Sequence, residues 1–122
     1  MEYAAGIDGG SRTIKVVLFR DKQLVEVVAV VPAGSRPLRT ACDLLREVRA
    51  RVPGPEVRLG VTGSAGRALC QVLEIDPIDD SLALAAAFEH LHPEVRTVVE
   101  MGMESQRFLA LAPDEVTGRL RV

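Results

Sequence analysis

The apolar residues of this chain fall first into short blocks and then into helical spacing. Tyr3 to Asp8 and Ile14 to Phe19 are brief apolar runs of strand type, and Leu24 to Val31 is a third, rich in β-branched side chains. A glycine turn and the polar Arg20-Asp21-Lys22 join them, which predicts an antiparallel meander closed by Pro32-Ala33-Gly34-Ser35. Leu38, Ala41, Leu44, Leu45, Val48 and Val52 then recur with a helical period, while arginines and acids fill the other side. Pro37 suits the first turn of that helix, and Pro53-Gly54-Pro55 stops it.

Val57 to Val61 predicts a short strand, Thr62-Gly63-Ser64-Ala65-Gly66-Arg67 a turn, and Ala68 to Leu73 the opening of a helix. Asp79, Asp80 or Ser81 supplies the cap of a further helix from Leu82 to Leu91, apolar on nearly every side. Pro93 closes it. Val95 to Met101 and Gln106 to Leu111 read as strands around Gly102-Met103-Glu104-Ser105, and Asp114 to Gly118 turns the chain before an extended Arg119 to Val122. This order predicts an α/β fold: a ribonuclease-H-like mixed sheet, three antiparallel strands followed by parallel strands, with helices on both faces. With 122 residues and no linker, a single domain over residues 1–122 is expected.

Composition narrows the chemistry. Hydrophobic residues make up 48% and aromatics only 3%, so the core must be built from Val, Leu, Ile and Ala. A net charge of -2 and the lack of aromatic stacking platforms argue against nucleic-acid binding. Cys42 and Cys70 lack metal-ligand spacing and read as free thiols of a reducing compartment. His90 and His92 lie on different sides of a helix end and form no ligand pair. No signal-peptide pattern or membrane-length apolar run occurs, so a cytoplasmic location and no membrane partner are expected.

The unusual residues gather in Gly6-Ile7-Asp8-Gly9-Gly10-Ser11-Arg12-Thr13-Ile14-Lys15. Glycines permit a tight turn of positive φ and leave N–H groups uncovered, and those groups beside hydroxyls and a lysine suit an anion such as phosphate. Asp8 at the strand end suits a hydrated cation such as Mg²⁺. The plainer alternative is a glycine hairpin with polar residues facing water. The turn after Val61 offers a second place where backbone amides meet an anion, or else a tight strand–helix connection. Strand, Glu100, Gly102, Ser105, strand echoes the first turn.

The stretch Gly6 to Lys15 resembles the first phosphate loop of the actin/Hsp70/sugar-kinase superfamily. The ATPases that activate 2-hydroxyacyl-CoA dehydratases and benzoyl-CoA reductases (the BadF/BadG/BcrA/BcrD type) are the most similar in this reading. Val61 to Arg67 is similar to that family's Thr-Gly-x-Gly-Arg turn with an extra residue, and His92 to Val99 to the segment entering its second phosphate loop. The second loop itself departs: Met103 replaces a glycine, Glu104 a neutral amide and Ser105 an aspartate, while Asp80 and Leu84 stand where the family has Glu and His.

The resemblance implies the N-terminal half of a two-domain ATPase, the phosphate-binding part of an ATP-dependent activator with negligible activity when isolated. It implies ATP or ADP with Mg²⁺ as cofactor, Asp8 and Glu100 as catalytic acids, and Asp8 as the metal-side residue. Gly9, Gly10, Ser11, Arg12, Thr13, Lys15 and Gly102 would bind the phosphates, with Lys15 either adding charge there or pairing with a neighbouring acid. The expected partners are a second ATPase domain or a partner subunit, including a second copy of the chain, and no iron–sulfur cluster is expected on this chain. A degenerate, non-catalytic binding or assembly module of the same fold is the alternative.

Overall fold

The computed structural model describes residues 1–102 and 106–122. The chain divides into two compact units, Met1–Pro77 and Ile78–Val122. Met103, Glu104 and Ser105, the departures in the second loop, lie outside the described residues.

In the first unit, β1 (Tyr3–Gly9), β2 (Thr13–Arg20) and β3 (Gln23–Pro32) form the meander read from the sequence, followed by α1 (Pro37–Arg51), β4 (Arg58–Thr62) and α2 (Ser64–Leu73). The sheet runs β3-β2-β1-β4, with β1 antiparallel to β2 and parallel to β4. The β2–β3 link turns on Asp21 and Lys22, both at positive φ (48° and 67°). That geometry matches the twist of a two-residue hairpin. Opposite β2, the strand β3 carries two register shifts that place extra residues on it.

The pleat sends Ile7, Ile14, Val16 and Val61 to one face of this sheet, and α1 and α2 pack on that same face and on each other. Ala41, Leu44 and Val48 of α1 and Leu69 and Cys70 of α2 close the core. Each fully buried Val, Leu or Ile contributes about 1.5–3 kcal/mol relative to exposure. Arg51, near the end of α1, is bonded to Glu47 one turn back and to Glu26 of β3 (2.8 and 3.1 Å), which ties the helix to the edge strand. Burial raises the Cys70 thiol pKa, and the negative charge of Asp76 adds to it.

The start of α2 differs from the sequence reading. Ser64 to Arg67, expected as turn, forms the first turn of α2. Gly63 alone makes the change of direction, at φ +90°, so the helix begins at the next residue. Gly66 then sits inside a helix, where glycine ordinarily weakens it. The reason is packing: a Cβ there would lie 2.9 Å from the Val61 side chain.

The second unit holds α3 (Asp80–Leu91), the hairpin β5 (Thr97–Met101) and β6 (Gln106–Ala110), and the short pair β7 (Ala112–Pro113) and β8 (Leu120–Arg121). Of the three candidate caps, Asp79 serves: its carboxylate accepts from the Ser81 N–H at 2.8 Å. Ala85, Val98, Leu109 and Leu111 form a small core. On α3, Leu82 and Leu91 remain exposed. The protein is thus a mixed α/β fold with a mixed parallel and antiparallel sheet.

Candidate functional site

Parallel pairing sets the site of the first unit. Asp8 and Thr62 are register partners at the carboxyl ends of β1 and β4, so the turns that follow leave the sheet side by side. In open α/β sheets that edge is where ligands settle. After β1 the chain passes through Gly9 and Gly10 into a two-residue loop, Ser11 and Arg12, closed by the Gly10 N–H donating to the Thr13 carbonyl at 3.0 Å. The Arg12 carbonyl accepts from the Ala33 N–H at 2.8 Å, which fastens the loop from behind. The side chains of Ser11, Arg12 and Thr13 are exposed.

The glycines serve a different need from the one expected of them. Gly9 and Gly10 are absent from the residues at positive φ, so the turn does not require them for that. Close approach does. A Cβ on Gly9 would lie 2.5 Å from the Gly66 backbone nitrogen, and one on Gly63 would strike the Gly9 carbonyl and come within 3.0 Å of Asp8 Oδ1. The β1 turn and the start of α2 are therefore pressed together backbone to backbone. The N-cap of α2 is Gly63, without a side-chain cap, and its first turn carries no acid. A helix start of that kind favours negative charge nearby.

Asp8 and Lys15 face each other across the β1–β2 hairpin, 3.7 Å apart, each about half exposed (50% and 54%). Lys15 thus pairs with an acid. Such an open pair is worth about 0–1 kcal/mol, so a ligand can separate it. A single exposed carboxylate fits a Mg²⁺ ion that keeps most of its water shell. The residues present fit a hydrated cation at Asp8 beside an anion over the glycine turn.

The second unit places Glu100 in β5 and Gly102, exposed, just after that strand. Asp8 and Glu100 belong to different units. Arg107 of β6 is the register partner of Glu100, and it donates to Asp80 Oδ2 at 2.6 Å while its Nε lies 3.7 Å from Glu100 Oε2. The hydrogen bond to Asp80 raises the already high pKa of the guanidinium. Sequence reasoning missed Arg107, although the signal was there: each hairpin sets a base opposite its acid, Lys15 opposite Asp8 and Arg107 opposite Glu100. No group of three His, Cys, Asp or Glu among the described residues is arranged to hold a metal.

The sequence matches no family model and no curated protein. Solved structures do resemble the chain. Component A of the (R)-2-hydroxyglutaryl-CoA dehydratase of Acidaminococcus fermentans superposes with a TM-score of 0.68 at 20% identity, over 98% of this chain and 45% of that one. The type II variant of the Aquifex aeolicus Ppx/GppA phosphatase does so with a TM-score of 0.53 at 14% identity, over 100% of this chain and 51% of that one. At these identities the likeness is one of fold. The chain spans about half the length of these structures. Among the described residues no helix is long and apolar enough to cross a membrane.

Proposed function

We propose that the chain is the phosphate-binding part of a nucleotide-dependent ATPase, of the kind that activates 2-hydroxyacyl-CoA dehydratase-like enzymes, and that it needs a further domain or partner subunit to act. The observation that carries this reading is the backbone contact of the Gly9 turn with the start of α2, beside Asp8, at the carboxyl ends of two parallel strands. A turn stripped of side chains at that edge lets phosphate oxygens approach the backbone. Ser11 and Thr13 offer hydroxyls, Arg12 and Lys15 positive charge, and Asp8 a carboxylate for hydrated Mg²⁺. The bound metal would neutralise phosphate charge; the residues of this chain bind and orient.

Titration calorimetry with ATP and Mg²⁺ tests the reading. Affinity is expected to be weak, because one wall of a cleft desolvates little of a nucleotide. Asp8→Asn should remove the Mg²⁺ dependence of binding with the fold intact by circular dichroism. Binding that is indifferent to Asp8→Asn, or absent at any concentration of nucleotide, sinks it. A second reading, a non-catalytic binding or assembly module, draws support from the engagement of Glu100 and Asp80 by Arg107.

A further inference from the structure

We infer that Glu100 is not a metal-side acid: Arg107 is the cation it holds. The inference rests on the phosphate-site reading of Asp8, and concerns the hairpin of the other unit. The two hairpins share one plan, an acid on the first strand and a base opposite it on the returning strand. They differ in how tightly the base is committed.

Lys15 has Asp8 as its ion-pair partner, at 3.7 Å, and both side chains are half in water. A lysine ammonium on a flexible stem swings away at little cost, and a hydrated cation can take its place. Arg107 is held from two sides. Its Nη2 donates to Asp80 Oδ2 at 2.6 Å, its Nε faces Glu100 Oε2 at 3.7 Å, and only 28% of its side chain is exposed. Asp80 starts α3 and Glu100 lies in β5, so the guanidinium binds two elements of one unit together. Glu100 Oε2 itself has no accessible surface and no hydrogen-bond partner. Water does not reach that oxygen, although 41% of the Glu100 side chain is exposed, and the positive charge beside the buried oxygen is the guanidinium.

A divalent ion at Glu100 would lie beside a permanently charged, planar donor that its hydrogen bond to Asp80 keeps in place. The family resemblance makes Glu100 a catalytic acid alongside the metal-side Asp8, and the surroundings of Glu100 do not fit a metal ion. Mg²⁺ held at Asp8 would keep most of its water shell.

Mn²⁺ alone, followed by electron paramagnetic resonance, tests this without nucleotide or turnover. Glu100→Gln should leave Mn²⁺ retention at the native level, whereas Asp8→Asn should lower it. Arg107→Met removes the positive charge beside Glu100 and should add a bound Mn²⁺, and Arg107→Lys, which restores the charge, should not. Should Arg107→Met fail to fold, Mn²⁺ broadening of the native chain's amide resonances decides the matter: the Glu100 and Arg107 amides should stay sharp. A loss of Mn²⁺ binding in Glu100→Gln overturns the inference, as does a folded Arg107→Met with no added ion, or selective broadening at Glu100. Failure of the phosphate-site reading looks different, since ATP binding would then ignore Asp8 while the Mn²⁺ results at Glu100 stood unchanged.

Discussion

Gly9, Gly63 and Gly66 are the residues on which the site's geometry turns, and they are separable by what a methyl group would meet. Gly9→Ala drives a Cβ into the Gly66 backbone, where no side chain can yield, so it should destabilise by about 1–3 kcal/mol or more. Gly63→Ala combines a backbone collision with a positive φ and should cost at least as much. Gly54→Ala meets open space at an ordinary φ, and a small gain of about 0.4–1 kcal/mol is expected from the stiffer unfolded chain. Urea unfolding of the three variants checks the order. Equal stability of Gly9→Ala and Gly54→Ala would contradict the backbone contact. The sequence showed where these glycines cluster but suggested a conformational cause. Spatial crowding from α2 is the actual one, and nothing local to Gly9 reports a helix that begins more than fifty residues later.

At the level of elements, the strands and helices were legible because their apolar periods are clean. The β1–β3 meander, α1 and the capped start of α3 follow the pattern of Ile14-Val16-Leu18, of Leu44-Val48 and of Asp79. The start of α2 was not legible, since Gly63 and Gly66 look alike in sequence and only the first lies at positive φ. The turn between β7 and β8 carries its own electrostatic signature. The Asp114 carboxylate accepts from the Thr117 and Val116 N–H groups, and these bonds lower its pKa. A carboxyl with a lowered folded pKa adds stability that is present above its unfolded pKa and lost as pH falls through the folded one. Protection of the Val116 and Thr117 amides against hydrogen exchange should therefore fall on acidification below about pH 4, the ordinary aspartate range. Asp114→Asn, which keeps the acceptor without the charge, should flatten that dependence. An unchanged acid profile in Asp114→Asn would refute the assignment.

For the whole molecule, the resemblance to solved structures covers nearly all of this chain and less than half of the dehydratase component. Under the proposed function the isolated chain should hydrolyse ATP at a rate indistinguishable from buffer, because phosphoryl chemistry depends on positioning and on exclusion of water by closed walls. A phosphate-release assay checks this, and turnover abolished by Asp8→Asn would overturn it. The fold was readable from element order and three ordered sequence likenesses. The contact of Arg107 with Asp80 was not, because it joins residues far apart in the chain.

The strand β3 has a bearing on how this protein behaves at high concentration. It is the outer strand of the four-stranded sheet, and Leu24, Val25, Val27 and Val30 on it are exposed. A flat strand of that composition would be a template for fibrils, since its unpaired amides invite another copy to add on. The extra residues at Val25 and Val28 break the regular spacing of those amides twice. An incoming straight strand cannot stay in phase along the whole edge. Deleting Val25 and Val28 to straighten β3 would convert a greasy but awkward border into a seed for aggregation.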